Sequence, residues 1–125
     1  PLALLMYDLD HFKQVNDRYG HNTGDMALKT VTSLVNDNIR GIDIHGRWGG
    51  EEFMVLLPQT GLDTAMDVAE KLRRTIAAHP FDKLGSITAS FGCTCPHLFG
   101  YHQTHLGKHL HLFKSGCCRL HSMAE

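Results

Sequence analysis

Residues 47–53 read Arg-Trp-Gly-Gly-Glu-Glu-Phe and join two apolar arms, residues 42–48 and 52–57. Gly49 and Gly50 can both adopt the positive φ angles that two-residue hairpin turns require, so the segment predicts a β-hairpin. The adjacent carboxylates of Glu51 and Glu52 then lie at the hairpin tip, and the missing glycine side chains allow another molecule to approach the backbone. Such a tip can hold a divalent metal ion, and the metal ion can hold a phosphate.

The segment before the hairpin predicts one strand and two helices. Residues 2–7 form a short apolar run that ends at Asp8, which is typical of a buried strand covered on both faces. Residues 11–19 predict a short helix that Gly20 stops. A second helix is predicted from about residues 23–25, with Asp25 in its first turn. Its apolar positions keep helical spacing, at Leu28, Val31, Val35 and Ile39.

The segment after the hairpin predicts a helix and a strand. Pro58 ends the second hairpin strand. Thr60 and Asp63 resemble a capping box, with Asp in place of the usual Glu. The helix that follows is predicted to run to about His79, where Pro80 closes it. Residues 87–93 alternate between apolar and small polar residues, as a half-buried strand does.

The predicted order is strand, helix, helix, strand, strand, helix, strand. Strands that alternate with helices indicate an α/β sandwich with a mixed sheet and helices packed on it. The first strand and the hairpin are expected to lie side by side. That arrangement brings Asp8 to the same sheet edge as Glu51.

Composition limits the size and the partners of the protein. The chain has 125 residues, enough for one domain with a core, and a formal net charge of −1. This charge gives no electrostatic case for nonspecific binding to nucleic acid or to a membrane. No apolar run has the length of a membrane span. Because the chain starts at Pro1 and enters an apolar run at once, we expect it to be a piece of a longer protein.

The composition changes sharply near residue 93. All four cysteines lie from Cys93 onward, and six of the ten histidines lie between His97 and His121. We therefore predict a domain over residues 1–95 and an atypical tail over residues 96–125, either frameshifted or disordered. The tail cysteines and histidines could bind Zn²⁺, but their spacings fit no standard zinc motif, so an accidental composition is favoured. Cys93 is expected to pack as a small apolar residue.

Three motifs in a fixed order resemble the GGDEF domain of diguanylate cyclases, here in a Gly-Gly-Glu-Glu-Phe form. From the N-terminus they are Asp8-x-Asp10-x-Phe12-Lys13-x-x-Asn16-Asp17, Gly20-His21-x-x-Gly24-Asp25 and Arg47-x-Gly49-Gly50-Glu51-Glu52-Phe53. The resemblance implies an α+β sandwich that is polymerase-palm-like and nucleotide-cyclase-like, with flanking helices. It also implies a nucleotidyltransferase that condenses two GTP into cyclic di-GMP and two pyrophosphates in bacterial second-messenger signalling.

The resemblance assigns catalytic and metal-binding roles to residues at two sites in the chain. Asp8 and Glu51 match the carboxylates that bind Mg²⁺ or Mn²⁺, and the carbonyl of Leu9 matches a further ligand. Glu52 matches the second signature acid, which assists the metal site and helps to deprotonate the attacking 3′-hydroxyl. Phosphoryl transfer depends on charge neutralisation and alignment, which these residue types can supply.

The resemblance also assigns substrate contacts. Asn16 and Asp25 match the pair that reads guanine, while Phe12, through its backbone, and Lys13 match phosphate contacts. Gly49 and Gly50 belong to the same GTP site. Because each domain holds one GTP, turnover is expected to need a homodimer.

Arg40 and Asp43 form an Arg-x-x-Asp motif that ends shortly before the hairpin glycines. In the resembled family this offset marks an inhibitory product site. Arg40 can bind phosphate or guanine through two nitrogens, and Asp43 can read a guanine edge. Such a motif elsewhere is a common surface ion pair, but its offset here favours the product site.

Both ends of the chain depart from the resembled family, and three functional hypotheses follow. Family members begin with a helix that is absent here, and the C-terminal helix that carries phosphate-binding Lys and Arg has no clear counterpart in the tail. The first hypothesis is a cytoplasmic diguanylate cyclase domain with an upstream sensory domain. The second is a catalytically inactive module that binds cyclic di-GMP through Arg40-x-x-Asp43. The third is a nonfunctional gene fragment.

Overall fold

The computed structural model describes residues 1–95 and 119–120, and its elements follow the predicted order. They are β1 (Leu2–Leu9), α1 (Phe12–Tyr19), α2 (His21–Asn36), β2 (Ile44–Gly49), β3 (Glu52–Pro58), α3 (Leu62–Ala78), β4 (Ala89–Thr94) and β5 (Arg119–Leu120). The short strand β5 lies in the segment for which the sequence predicted no element. None of the helices in the described residues has both the length and the apolar character needed to cross a bilayer.

The strands form a sheet in the order β2-β3-β1-β4-β5, and every described pairing is antiparallel. The prediction of an α+β sandwich with the first strand beside the hairpin is confirmed, whereas the prediction of a mixed sheet is wrong. The reason lies in the helical connections. β1 and β2 run in the same direction but are separated by β3, and β3 and β4 are separated by β1. Each helical connection therefore skips over one strand of opposite direction, and the described strands have only antiparallel neighbours.

The core lies on one face of the sheet. Alternate residues of β1 point into the core, and so do the residues of β3 that lie directly opposite them. These buried positions are Ala3, Leu5, Tyr7 and Leu9 on β1 and Phe53, Val55 and Leu57 on β3. The other face of β1 carries Leu2, Leu4 and Met6, which are only half-buried. The prediction of a buried strand covered on both faces is therefore confirmed for one face of β1 and wrong for the other.

The helices α2 and α3 bury one apolar stripe each in this core. In α2 the stripe contains Leu28, Val31 and Val35, as predicted, and Ile39 packs against the core just beyond the helix end. In α3 the fully buried residues are Ala65, Ala69, Leu72 and Ile76.

Two details of the helix ends differ from the sequence predictions. Gly20, with φ 87°, ends α1 and begins α2 at once, so α2 starts at His21 and Asp25 lies beyond its first turn. The capping box at α3 is wrong as well. Gly61 is the N-cap residue, and the Thr60 hydroxyl donates instead to the Pro58 carbonyl at 2.9 Å.

Candidate functional site

The hairpin tip is built by a two-residue loop, Gly50 and Glu51. Gly49 pairs with Glu52 and belongs to β2, so only Gly50 takes a positive φ, of 54°. A positive φ at the first loop residue alone is the arrangement that favours glycine in type II′ hairpins. The Arg47 guanidinium donates through Nε to the Gly50 carbonyl at 2.6 Å and so supports the turn. The hairpin is confirmed, and the expectation that both glycines form its turn is wrong.

The two sequence segments that carry acidic residues meet at one end of the sheet. Asp8 on β1 lies directly opposite Glu52 on β3, and Glu51 precedes Glu52 in the loop. On its other side Asp8 faces Ser90 on β4. The predicted approach of Asp8 to the hairpin acids is therefore confirmed, with Glu52 rather than Glu51 as the register partner.

Asp10 ties the end of β1 to β4, which the sequence did not predict. Its carboxylate accepts hydrogen bonds from the hydroxyls of Thr88 at 2.7 Å and Ser90 at 2.6 Å. Its backbone N–H donates to the Thr88 carbonyl at 2.9 Å. These bonds fix the chain directly after Asp8 and Leu9, so Asp10 positions both residues. The Asp-x-Asp spacing was visible, but its partners lie near the other end of the domain.

Asn16 and Asp25 are brought together by the close packing of α1 on α2. The Asn16 side chain lies so close to Gly24 that a β-carbon at this position would overlap its amide oxygen. Asp25 is the next residue along α2 and is exposed. The absence of a side chain at residue 24 therefore lets the Asn16 side chain pack against α2 at the residue before Asp25.

A groove of about 510 Å³ separates α2 from the hairpin strands. One wall is α2, and the other contains Arg47 from β2 and Phe53 from β3. The α2 residues that line it are Asp25, Leu28, Lys29, Thr32 and Ser33. Of the predicted site residues, Asp25 lines this groove. Lys29, Thr32, Ser33 and Arg47 were not predicted, because only the packing of α2 against the hairpin brings them together.

Phe12 and Lys13 begin α1, a short distance from the end of β1. The Phe12 side chain is buried, which leaves its backbone for any ligand contact, and the Lys13 side chain is exposed. The residue before them, His11, has a φ of 56° and turns the chain from the strand into the helix. Lys13 is thus an exposed cation near a helix N-terminus, where anions are favoured.

Arg40 and Asp43 bind each other in this structure. The Asp43 side chain is 3% exposed, and both of its carboxylate oxygens accept from the Arg40 guanidinium, the shortest distance being 2.8 Å. Arg40 also donates to the Pro58 carbonyl and the Thr60 hydroxyl, each at 2.9 Å. Asp43, through its hydrogen bond, raises the pKa of Arg40 above its ordinary value. For Asp43 to accept from guanine, it would have to exchange these bonds.

The structure offers no zinc cluster within residues 1–95 and 119–120. In these residues no group of three or more His, Cys, Asp or Glu side chains is arranged to hold a metal ion by itself. Cys93 packs in the core at 1% exposure, as predicted, and Cys95 is also buried. Cys117, Cys118 and the tail histidines of the zinc alternative lie outside the described residues.

The chain is similar to known nucleotide cyclases over most of its length. A family model described as diguanylate cyclase, GGDEF domain, matches residues 1–111. Diguanylate cyclase DgcP of Pseudomonas aeruginosa is 46% identical over 96 residues, which are 74% of this chain and 14% of that protein. Across the most similar curated relatives, the matched part spans 14% to 26% of their length.

Two solved structures have the same fold. The active GGEEF domain of a diguanylate cyclase from Vibrio cholerae superposes with a TM-score of 0.68 and 34% identity, covering 83% of this chain and 65% of that one. The GGDEF domain of DgcB from Caulobacter crescentus, solved in complex with c-di-GMP, gives a TM-score of 0.69 and 31% identity. It covers 74% of this chain and 57% of that chain.

Proposed function

The chain belongs to the GGDEF domain family of diguanylate cyclases, and from this premise we propose that it forms half of a site that condenses two GTP into cyclic di-GMP. The observation that carries the proposal is the register at the end of the sheet. It places Asp8 opposite Glu52, which follows Glu51, and the adjacent Phe53 lines the same groove as Asp25. Acidic residues that meet at a sheet end near such a groove suit a nucleoside triphosphate.

Guanine recognition is assigned to Asn16 and Asp25. A carboxylate at Asp25 accepts from the N1–H and N2–H groups of guanine, and the Asn16 amide donates to O6 or N7. Adenine lacks this pattern, so the pair discriminates between the two purines. The support for this assignment is the close packing at Gly24, which brings the Asn16 side chain against α2 one residue before Asp25.

The donor set at the end of the sheet fits a small divalent cation. The carboxylates of Asp8 and Glu51 and the carbonyl of Leu9 are hard oxygen donors, which suit Mg²⁺ or Mn²⁺. Mg²⁺ is commonly held by one or two carboxylates together with water and substrate phosphates, so the two carboxylates here are sufficient. When bound, the metal ion supplies charge neutralisation at the triphosphate and acidifies the ribose 3′-hydroxyl.

The remaining residues orient the phosphates and move a proton. Lys13 and the N–H groups at the start of α1 bind phosphate oxygens. Glu52 accepts the proton of the 3′-hydroxyl, whose oxygen attacks the α-phosphorus of the GTP held by the second copy. The bond to pyrophosphate breaks, and the same step in the other half closes the ring and releases the second pyrophosphate. Because each copy contributes one GTP, the active species is a homodimer.

The proposal predicts turnover that depends on protein concentration. Incubation with GTP and Mg²⁺ or Mn²⁺ is expected to give two pyrophosphates for each cyclic di-GMP. The rate per protomer should rise as the protein is concentrated, because two copies must meet. Chromatography of the nucleotides with a coupled pyrophosphate assay measures both products. Binding of GTP without any cyclic di-GMP at high protein concentration would contradict the catalytic proposal.

A second candidate function is binding of cyclic di-GMP through Arg40. Asp43 holds the Arg40 guanidinium in place, and about half of the Arg40 side chain stays exposed. Within residues 1–95 and 119–120, the Nη1 nitrogen of Arg40 has no hydrogen-bond partner, so it can donate to a phosphate or a guanine without disturbing Asp43.

Calorimetry with cyclic di-GMP tests this second function. Arg40→Ala is expected to lose binding, and Arg40→Lys to weaken it, because lysine lacks the planar fork. Arg74→Ala is the matched control, since Arg74 is 75% exposed and pairs with Glu70 on α3. Thermal unfolding of each variant shows whether it is folded. Unchanged affinity in a folded Arg40→Ala variant would exclude this site.

A further inference from the structure

Three side chains from three elements form a continuous hydrogen-bonded chain beside the groove. The Tyr7 hydroxyl on β1 lies 2.8 Å from Nε2 of His45 on β2. Nδ1 of His45 lies 2.9 Å from the side-chain oxygen of Asn36, the last residue of α2. Because the Asn36 oxygen can only accept, Nδ1 of His45 carries the proton, and Nε2 accepts from Tyr7. We call Tyr7, His45 and Asn36 the brace.

Aromatic packing fixes the Tyr7 end of the brace in the core, whereas Asn36 at the other end is exposed. The Tyr7 ring is stacked against Phe53 and Phe91, with centroids 5.0 Å and 4.7 Å apart. His45 also contacts Phe53, at 5.6 Å between centroids. Phe53 itself lines the groove. A change at His45 can therefore affect the groove through the Phe53 ring, which contacts His45 and lines the groove.

The brace joins the two walls of the groove at one end. Asn36 follows the lining residues Thr32 and Ser33 by one helical turn on α2. His45 precedes Arg47 by two residues, so both side chains are on the same face of β2. Among the described strands β2 lies at the edge of the sheet and pairs with β3 alone, and the brace adds a connection to α2 and to β1.

We propose that the brace sets the distance between α2 and the hairpin, and that protonation of His45 loosens it and weakens nucleotide binding in the groove. The proposal makes Tyr7, His45 and Asn36 positioning residues, and its ligand-binding part rests on the proposed function. A protonated ring carries a hydrogen on Nε2 as well, so it can no longer accept from Tyr7. The buried Tyr7 hydroxyl then loses its acceptor for its own hydrogen. The link from β2 to the centre of the sheet persists only as a reversed bond, in which a partly buried charged ring donates to the Tyr7 oxygen.

The surroundings of His45 disfavour its charged form. Burial lowers the pKa of His45 and raises that of Tyr7, so both groups stay neutral near pH 7. Among charged groups on the neighbouring elements, Lys29 on α2 and Arg47 on β2 line the groove, and Asp37 follows Asn36. Because the unfolded chain binds the proton more readily, the stability from neutral His45 is complete above about pH 6.5 and declines below it.

Trp48 gives a readout of the brace that needs no ligand. It is the only tryptophan of the chain, lies three residues after His45 at the bulge of β2, and is half exposed. We expect its fluorescence and its quenching by acrylamide to change between pH 7.5 and pH 5.5. The change should be absent in His45→Gln, which cannot titrate, and present in the control His79→Gln, which lies at the end of α3. The proposal would be overturned if Trp48 fluorescence changed equally in His45→Gln, or if it did not change in the native protein.

A second variant covers the case in which His45→Gln fails to fold. Tyr7→Phe keeps the stacked ring but removes the donor that stabilises neutral His45, so the pKa of His45 should rise. The Trp48 transition is then expected at higher pH than in the native protein. An unchanged midpoint in folded Tyr7→Phe would contradict the hydrogen-bonded chain.

The ligand-binding part is tested with a nonhydrolysable GTP analogue and Mg²⁺ by calorimetry. The native protein is expected to lose more affinity between pH 7.5 and pH 5.5 than His45→Gln does, by roughly threefold to tenfold. Comparison of the two proteins at each pH cancels the titration of the phosphates. Equal losses would refute this part. No binding of the analogue at pH 7.5 would instead refute the proposed function, and the Trp48 measurement would still decide the brace.

Discussion

Replacement of Glu51 by Gln is expected to reduce cyclic di-GMP formation from GTP by about a thousandfold. The substitution keeps the size and one hydrogen-bonding oxygen of the loop residue but removes a charge that would help to hold the divalent metal ion. Metal-assisted charge stabilisation is worth several kcal/mol, and each 1.36 kcal/mol corresponds to about tenfold in rate. Because Glu51 lies in the hairpin loop outside the core, the fold should be unaffected.

The matched control for Glu51→Gln is Asp67→Asn. This substitution also removes one negative charge, from an exposed residue of α3 that lines neither the groove nor the end of the sheet. The product is measured by chromatography at saturating GTP and a fixed protein concentration. If Glu51→Gln retained the native rate, or if Asp67→Asn lost activity equally, the placement of the reaction at the hairpin tip would be wrong.

Gly24→Ala is expected to lower the affinity for GTP by at least about tenfold and to destabilise the domain by about 1–3 kcal/mol, the usual cost of overpacking. The new methyl group would overlap the Asn16 side chain, so Asn16 must rotate away from Asp25 or α1 must move from α2. Alanine is the better helix former by about 1 kcal/mol, so a loss of stability here is due to the overlap and not to helix propensity.

Gly41→Ala is the control for this substitution. A β-carbon at residue 41 would meet no atom within 4 Å, and Gly41 has no positive φ. Urea unfolding gives the stability of both variants, and calorimetry with the GTP analogue gives their affinity. A Gly24→Ala protein with native affinity would show that Asn16 does not need its present position to bind guanine.

The parts of the structure that the sequence predicted are those set by local pattern. The apolar arms and glycines specify the hairpin, and helical spacing specifies α2 and α3. The register of β2 against β3 could not be predicted from the sequence, because it depends on whether Gly49 belongs to the turn or to the strand. The antiparallel sheet was missed for a related reason. The alternation of strands and helices along the chain does not show whether two strands joined by a helix are neighbours in the sheet. Here β3 lies between β1 and β2, and β1 lies between β3 and β4.

The missed contacts join residues that are distant in the chain. Tyr7 and His45 are 38 positions apart, and Asp10 is 78 positions from Thr88. No short motif links them, so neither the brace nor the tie of β1 to β4 could be predicted. Thr60 shows the opposite case. Its spacing from Asp63 predicted a cap, but in the folded chain its hydroxyl binds Pro58 and Arg40.

The position of β1 in the sheet has a consequence for how the protein is made. β1 is synthesised first among the described elements, yet it is the central strand, and Leu5 must find both Val55 and Cys93. Such pairings raise the contact order and slow folding, because long loops close before the contacts form. During translation β1 stays without its full set of partners until β4 has left the ribosome, so this apolar strand is the segment most exposed to aggregation in the nascent chain.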